Sequence, residues 1–287
     1  MADLPRLNGV IAALESERHA FSLFAPMERE SAIELQASAY DGVVFEGEHR
    51  PWDPRALRDA LQYLLNRGQI ARSGSVAPKV TPIARIPANG VEMNQFLAKQ
   101  ALDVGCYGVM WPHISTVEEA YNAVAACRYQ RMKGKPLYEP AGIRGDGPVA
   151  AARYWGVSQQ EYYSRADVWP LAPEGEILVV IQIEDTRGID NLDDMLRNVP
   201  GIGVVLIGEG DLSQELGIPR QYEHQLLLDA MAKVVDVCKR NDVVVGHPHV
   251  TPANAERVVA EGYRYLMCAA PRSFAHLEKA RAAAGLA

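Results

Sequence analysis

Short apolar runs rich in β-branched residues alternate along this chain with longer segments in which apolar residues recur every three or four positions. The runs have the length of buried strands, and the longer segments have the periodicity of amphipathic helices. Eight strand-like runs are present, at 22–27, 42–48, 82–87, 107–112, 177–184, 203–208, 243–248 and 265–270. Helical candidates lie between most of them, at 30–38, 54–66, 92–103, 117–128, 191–197, 221–240 and 253–261.

This alternation predicts parallel strands joined by helical crossovers. Eight such units close into a (β/α)8 TIM barrel, whereas an open doubly wound sheet would leave edges that the sequence does not protect. A length of 287 residues with 48% hydrophobic content suits one such barrel, so we expect a single domain over residues 1–287. The segment 129–175 is too long for a simple loop. It predicts an insertion before the fifth strand, either a lid over the C-terminal mouth or a peripheral element used in subunit contacts.

Composition narrows the class of protein further. A net charge of -7 and the lack of a Lys/Arg block argue against a nucleic-acid partner. No apolar stretch approaches the ~20 residues that a membrane span requires, and the acidic N-terminal segment is unlike a signal peptide, so we expect a cytoplasmic protein. The four cysteines show no paired metal-binding spacing and are interpreted as reduced and structural.

Ionisable residues gather at the ends of the predicted strands, which is where TIM barrels carry their catalytic groups. A carboxylate at the end of a buried strand is either solvated or holds a cation. Oxygen ligands without paired cysteines or a close histidine pair favour Mg²⁺ or Mn²⁺ over zinc. These residues are Glu46, Glu48 and His49 at the end of the second run, Arg85 within the third, Glu184 and Asp185 at the end of the fifth, and Asp211 after the sixth.

Two of these positions leave alternatives open. Arg85 stands among apolar residues, so it either binds an anionic substrate or forms a structural ion pair with Glu46 or Glu48. The carboxylates beside His49 favour an acid/base role for its imidazole, although a metal-ligand or surface role also fits. Gly208 and Gly210 allow close backbone approach at a helix start, where a substrate carboxylate could be held.

Several stretches, taken in order, carry a family resemblance: YDGVVFEGEHRPWD, PIARIP, LDVGCYGVMWPHISTVEEAYNAVAACRY, AGIRG, QIED and IGEGDLSQELG. With them the chain resembles the HpcH/HpaI aldolase family, the metal-dependent class II pyruvate aldolases that include 2,4-dihydroxyhept-2-ene-1,7-dioate aldolase. The resemblance implies a barrel of the phosphoenolpyruvate/pyruvate type. It also implies a hexamer whose subunits exchange their last helix, and a role in aromatic-compound catabolism.

The resemblance also implies roles for individual residues. Glu184 and Asp211 would be the ligands of Mg²⁺ or Mn²⁺, Arg85 would bind the pyruvate moiety, and His49, oriented by Glu46, would be the acid/base residue. Asp103 matches a family aspartate of the active site near a subunit boundary and is assigned to catalysis. Gln182, Gly208 and Gly210 are assigned to substrate binding.

The expected reaction is the reversible cleavage of a 4-hydroxy-2-oxo acid into pyruvate, or a close 2-oxo acid, and an aldehyde through a metal-stabilised enolate. The predicted strands hold no lysine for a Schiff base, which favours the metal route. The family usually has aspartate at Glu46 and proline–alanine at Glu209–Gly210, which leaves substrate preference open.

The sequence leaves two alternatives open. One is an acyl-CoA lyase of the citrate-lyase β-subunit type, for which Lys133, Lys135 and Arg144 are the candidate contacts to CoA phosphates. The other is a non-catalytic barrel that acts as a scaffold.

Overall fold

The computed structural model describes residues 5–87, 90–93, 95–269 and 275–284. In this part of the chain ten strands form one parallel sheet. They are β1 (Ala20–Ser22), β2 (Phe24–Ala25), β3 (Gly42–Glu46), β4 (Thr81–Arg85), β5 (Gly108–Trp111), β6 (Val168–Trp169), β7 (Ile177–Ile183), β8 (Val204–Ile207), β9 (Val244–His247) and β10 (Tyr265–Met267).

Helices follow most strands. They are α1 (Gly9–Glu15), α2 (Arg29–Leu35), α3 (Pro54–Leu64), α4 (Arg67–Ser73), α5 (Gln95–Val104), α6 (Val117–Ala126), α7 (Val149–Trp155), α8 (Gln159–Arg165), α9 (Thr186–Asn198), α10 (Glu209–Glu215), α11 (Gln225–Arg240), α12 (Ala255–Glu261) and α13 (Ala275–Ala283), with a 3-10 helix at Gly90–Glu92. Among the described residues, none of these helices is long and apolar enough to cross a membrane.

The sheet closes on itself. Its order is β1-β10-β9-β8-β7-β5-β4-β3-β2, and only Leu23 separates β1 from β2, so these two short strands share the first position of the barrel. β6 lies off this path and pairs with the start of β7. With β1 and β2 counted as one and β6 set aside, the barrel has eight strand positions that correspond to the eight predicted runs, and the predicted (β/α)8 architecture is confirmed. The last predicted run reaches residue 270, which lies outside the described residues.

Two apolar clusters divide the core, because successive strand residues face opposite sides. Val44, Ile83 and Leu206 belong to the cluster inside the barrel, while their strand neighbours pack against the surrounding helices. Helix α1, which the sequence pattern does not predict, packs Ile11 and Leu14 against the interior cluster. Since β1 follows α1 closely, α1 covers the N-terminal end of the barrel and leaves the C-terminal end for a binding site.

The predicted lid over the C-terminal mouth is wrong, because segment 129–175 lies at the other end. Helix α6 leaves the C-terminal end of β5 and runs down to the N-terminal end, where the segment begins. There Arg128, whose side chain is fully buried, donates to the carbonyls of Leu137 and Pro140 and pairs with Asp167 at 2.7 Å. These contacts hold both ends of the segment together, far from the mouth.

The aromatic residues of this segment fill the core rather than cover a site. The Trp155 ring stacks on Tyr107 with centroids 4.2 Å apart, and its indole N–H donates to the carbonyl of Gly105. Both partners lie within the three residues before β5. All four cysteines are free; Cys106, Cys127 and Cys238 are buried, and Cys268 is partly exposed.

Candidate active site at the C-terminal end of the barrel

Four predicted site residues form one hydrogen-bonded chain across the barrel mouth. Arg85 donates through Nε to Glu46 Oε1 (3.2 Å) and through Nη1 to Gln182 Oε1 (3.4 Å). Gln182 in turn donates to Glu184 Oε1 at 3.2 Å. These side chains meet because each lies an even number of positions after an interior apolar residue of its strand, so all four point into the barrel.

The Arg85 guanidinium is held in a structural ion pair, the second of its two sequence interpretations. It contacts both oxygens of Glu46, and its Nη1 lies 2.8 Å from Glu48 Oε2. It also stacks over the Phe24 ring at 4.3 Å. With 8% of its surface exposed, Arg85 neutralises two carboxylates that burial would otherwise make costly.

Glu46 does not orient the His49 ring as expected. Its Oε1 instead accepts from the backbone N–H groups of Glu48 (2.7 Å) and His49 (3.3 Å), and so fixes the turn after β3. The His49 side chain is 66% exposed, and its Nε2 lies 3.6 Å from Glu48 Oε2. Glu48 is therefore the carboxylate beside this imidazole.

Glu48 and Glu184 converge with His113, a residue that the sequence analysis missed. One ligand atom from each of the three lies within 4.8 Å of the others. His113 Nε2 is 3.5 Å from Glu48, its Nδ1 is 3.5 Å from Glu184, and its backbone N–H donates to Glu184 at 2.7 Å. The signal was available, because His113 comes directly after the apolar run 107–112, much as Glu184 stands at the end of its own run.

Burial and charge act strongly on these groups. Burial raises the pKa of Glu184 to about 7, with the charges of Glu48 and Asp211 adding to the effect against His113. The Glu48 carboxylate, and then Glu184, raise the pKa of His113 to about 9 against its burial. Burial would raise the pKa of Glu48 too, but His113 and Arg85 bring it below its usual range. At neutral pH the metal-free cluster holds an imidazolium between two acidic groups.

This cluster suits a divalent cation. Two carboxylates and an imidazole offer the oxygen and nitrogen ligands that Mg²⁺ or Mn²⁺ accepts. Glu48 Oε2 is buried and, although close to Arg85, lacks hydrogen-bond geometry, so it keeps a free lone pair. The raised pKa of Glu184 shows that its negative charge is poorly compensated there, and a cation would supply that compensation.

Asp211 stands at the edge of this cluster rather than within it. It is exposed in the first turn of α10, and its charge raises the pKa of both Glu184 and His113. The preceding Gly208 is essential to the packing, since a Cβ there would lie 2.0 Å from Glu184 Oε1. A Cβ on Gly210 would meet nothing within 4 Å.

The structure does not bring Asp103 to this site. It lies in the last turn of α5, at the N-terminal end of the barrel, and accepts from Arg144 Nη2 at 2.8 Å. The length of the barrel separates it from Arg85 within one subunit. Its assignment to catalysis stays a prediction that requires a second subunit to supply it.

A closed parallel barrel with carboxylates, arginine and imidazole at its C-terminal end defines a TIM-barrel enzyme. The comparison with protein families narrows this class: the family model for HpcH/HpaI aldolase/citrate lyase matches residues 20–270. The chain belongs to this family, and the predicted recognition is confirmed. The prediction of a carbon–carbon lyase is confirmed at the level of the family.

Individual proteins similar to this chain are consistent with the family match. The chain is 30% identical over 230 residues to 2-keto-3-deoxy-L-rhamnonate aldolase of Klebsiella pneumoniae, covering 80% of this chain and 74% of the relative. It is 32% identical over 206 residues to hydroxypyruvate/pyruvate aldolase of Roseobacter denitrificans, covering 72% and 67%. An HpcH/HpaI aldolase/citrate lyase family structure from Burkholderia cenocepacia superposes with a TM-score of 0.76 at 26% identity, covering 97% and 98%.

Proposed function

We propose that this chain is a divalent-metal-dependent aldolase that reversibly cleaves a 4-hydroxy-2-oxo acid into pyruvate, or a close 2-oxo acid, and an aldehyde. The observation that carries this proposal is the convergence of Glu184 with Glu48 and His113, beside the Arg85 chain, at the barrel mouth. The names of the relatives support it, because they are aldolases of a keto-deoxy sugar acid and of hydroxypyruvate and pyruvate.

Glu184 would hold Mg²⁺ or Mn²⁺, because it belongs both to the predicted ligand pair and to the observed cluster. Asp211 completes the predicted pair, while Glu48 and His113 are the other donors within reach. When bound, the cation supplies Lewis-acid stabilisation of the negative charge that develops on the carbonyl oxygen of the 2-oxo acid.

The remaining roles belong to the side chains of this chain. Arg85 provides positive charge next to the substrate carboxylate, and Gln182 bridges it to Glu184. His49 takes the proton of the 4-hydroxyl group as the bond between C3 and C4 breaks, with Glu48 beside the ring to stabilise the imidazolium. The backbone at Gly208 and Gly210 contributes to substrate binding.

The acyl-CoA lyase alternative is less well supported. Lys133 and Lys135 are exposed, but their loop is anchored at the N-terminal end of the barrel by Arg128. The Arg144 side chain is fully buried and bonded to Asp103. None of these three residues can reach CoA phosphates at the C-terminal mouth of its own subunit.

Pyruvate release tests the proposal. Metal-stripped protein is incubated with a panel of 4-hydroxy-2-oxo acids, with and without Mg²⁺ or Mn²⁺, and pyruvate is measured with lactate dehydrogenase. We expect metal-dependent release that falls about 100-fold or more in Glu184→Gln and is unchanged in Glu34→Gln, an exposed site on α2. Tight metal binding without pyruvate from any substrate would reject the aldolase proposal.

We also propose a homo-oligomer, a hexamer by family resemblance. Light scattering after size exclusion measures the assembled mass, and a monomer at micromolar concentration would refute it.

A further inference from the structure

A second polar cluster lies at the same end of the barrel but on the outer side of β8 and β9. His247 ends β9 on the face shared with Val245, which packs in the helix-facing cluster. The cluster lines a cavity of about 140 Å³, and Glu209, Tyr222 and His249 are among the lining residues. The strand residues that carry it face outward, whereas Glu184 points into the barrel.

Glu209 is the buried member of this cluster, with 3% of its side chain exposed. Among the described residues its hydrogen bond goes to Nδ1 of His249, from the loop after β9. A buried carboxylate is costly without a partner, so this contact couples the start of α10 to the neighbouring loop.

The loop that carries His249 is itself fixed at several points. The backbone N–H of His249 donates to His247 Nδ1 at 3.2 Å, and Asn254 Nδ2 donates to the His249 carbonyl at 3.0 Å. Asn254 also accepts from the backbone N–H of Thr251 at 2.7 Å. His247 is 2% exposed, and burial lowers its pKa to about 4, so it remains a neutral acceptor. The backbone of His249 is therefore held in place beside Glu209.

The turn that Glu209 anchors contains the groups that shape the metal site. Gly208 precedes α10 and cannot cap it with a side chain, while its backbone lies against Glu184. Asp211 follows in the first turn. We propose that the Glu209–His249 pair is a positioning device that fixes the turn 208–211 and thereby sets the geometry of Glu184 and Asp211 for the cation. This inference rests on the metal site of the proposed function.

Mn²⁺ affinity tests it without any substrate. Free Mn²⁺ is measured by electron paramagnetic resonance in titrations of metal-stripped protein carrying His249→Phe or His249→Asn. Phenylalanine removes the donor, whereas the asparagine amide places a donor near the former Nδ1. Loss of a group that orients a metal ligand typically weakens binding 10- to 100-fold. We expect about 10-fold weaker binding in His249→Phe and near-normal binding in His249→Asn.

His19→Phe is the matched control, because His19 precedes β1 at the opposite end of the barrel and should leave Mn²⁺ affinity unchanged. Thermal melting of each variant shows whether the fold is retained. Equal affinity in His249→Phe and wild type overturns the inference, and so does a wild-type chain that binds no Mn²⁺. A His249→Asn variant that binds Mn²⁺ as weakly as His249→Phe would show that the hydrogen bond to Glu209 does not set the affinity, and would also overturn it. A wild-type chain that binds Mn²⁺ but releases no pyruvate refutes only the aldolase reaction.

Discussion

Glu46 and Arg85 are register partners in the pairing of β3 with β4, and their side chains meet at the barrel mouth. The sheet itself dictates this contact, because paired residues on parallel strands point to the same face. Arg85 then extends the contact to Glu48 and Gln182. The pair thus stabilises the barrel mouth and also forms part of the proposed substrate site.

Replacing Arg85 should therefore affect stability as well as activity. Arg85→Met would leave Glu46 buried without its cation, whereas Glu48 keeps His113, and we expect the unfolding free energy to fall by about 3–5 kcal/mol. Urea denaturation of the metal-free protein measures this change. Adding Glu46→Gln to Arg85→Met should restore part of the loss, because one uncompensated charge is removed. An unchanged urea midpoint for Arg85→Met would contradict this account of the ion pair.

The two glycines near Asp211 should respond oppositely to the same substitution. Gly208→Ala would place a methyl group 2.0 Å from Glu184 Oε1, so the carboxylate must move. We expect Mn²⁺ affinity and pyruvate release to fall about 10-fold or more. Gly210→Ala meets open space in a helix, so affinity should be preserved and stability should rise by up to about 1 kcal/mol. Mn²⁺ titration and thermal melting compare the two variants. Equal effects on Mn²⁺ affinity would show that the backbone at Gly208 does not position the Glu184 carboxylate.

Arg128 and Arg131 both pair with Asp167 but differ in burial. Arg128 is 0% exposed and also donates to three backbone carbonyls, whereas Arg131 is 32% exposed. Arg128→Leu should destabilise the protein by about 3–5 kcal/mol, because it leaves buried acceptors unpaired. Arg131→Leu should cost less than about 1 kcal/mol. Urea denaturation measures the loss of unfolding free energy in both variants. Similar losses would mean that burial does not determine how much each arginine contributes to stability.

The sequence pattern predicts the barrel well because buried strands and amphipathic helices impose their own periods. The observed strands differ from the predicted runs by only a few residues at each end, for example Ile177–Ile183 for 177–184. Strand ends also locate Glu46, Arg85 and Glu184 correctly at one mouth. These signals are local, and the parallel topology brings the strand ends together at the same end of the barrel.

Features that depend on distant contacts could not be predicted in the same way. Segment 129–175 lies at the N-terminal end because Arg128 binds Asp167 and Trp155 stacks on Tyr107, and periodicity shows neither contact. His113 was overlooked because it follows Pro112 in a loop, where a positive φ of 51° turns the chain toward Glu184. The sequence shows that His113 follows a strand, but it does not show which way the side chain points.

The pH dependence of stability should reveal Glu184 directly. Its folded-state pKa of about 7 exceeds its ordinary value of 4.5 chiefly because of burial. Well below pH 4.5 the group is protonated in both states and has no effect. As pH rises toward 7 the unfolded chain releases the proton first, so stability falls. Metal-free wild type should therefore lose stability relative to Glu184→Gln across this window, by on the order of 3 kcal/mol.

A bound cation should have the opposite effect on the stability of wild type relative to Glu184→Gln. Mn²⁺ binds the ionised carboxylate of the folded state and stabilises it by mass action, so adding Mn²⁺ at pH 8 should raise the melting temperature of wild type far more than that of Glu184→Gln. Thermal melts from pH 4 to 8, with and without Mn²⁺, measure both effects. Parallel curves for wild type and variant in the metal-free protein would show that Glu184 titrates normally. The carboxylate would then not be held in the buried, poorly compensated environment from which its metal binding is inferred.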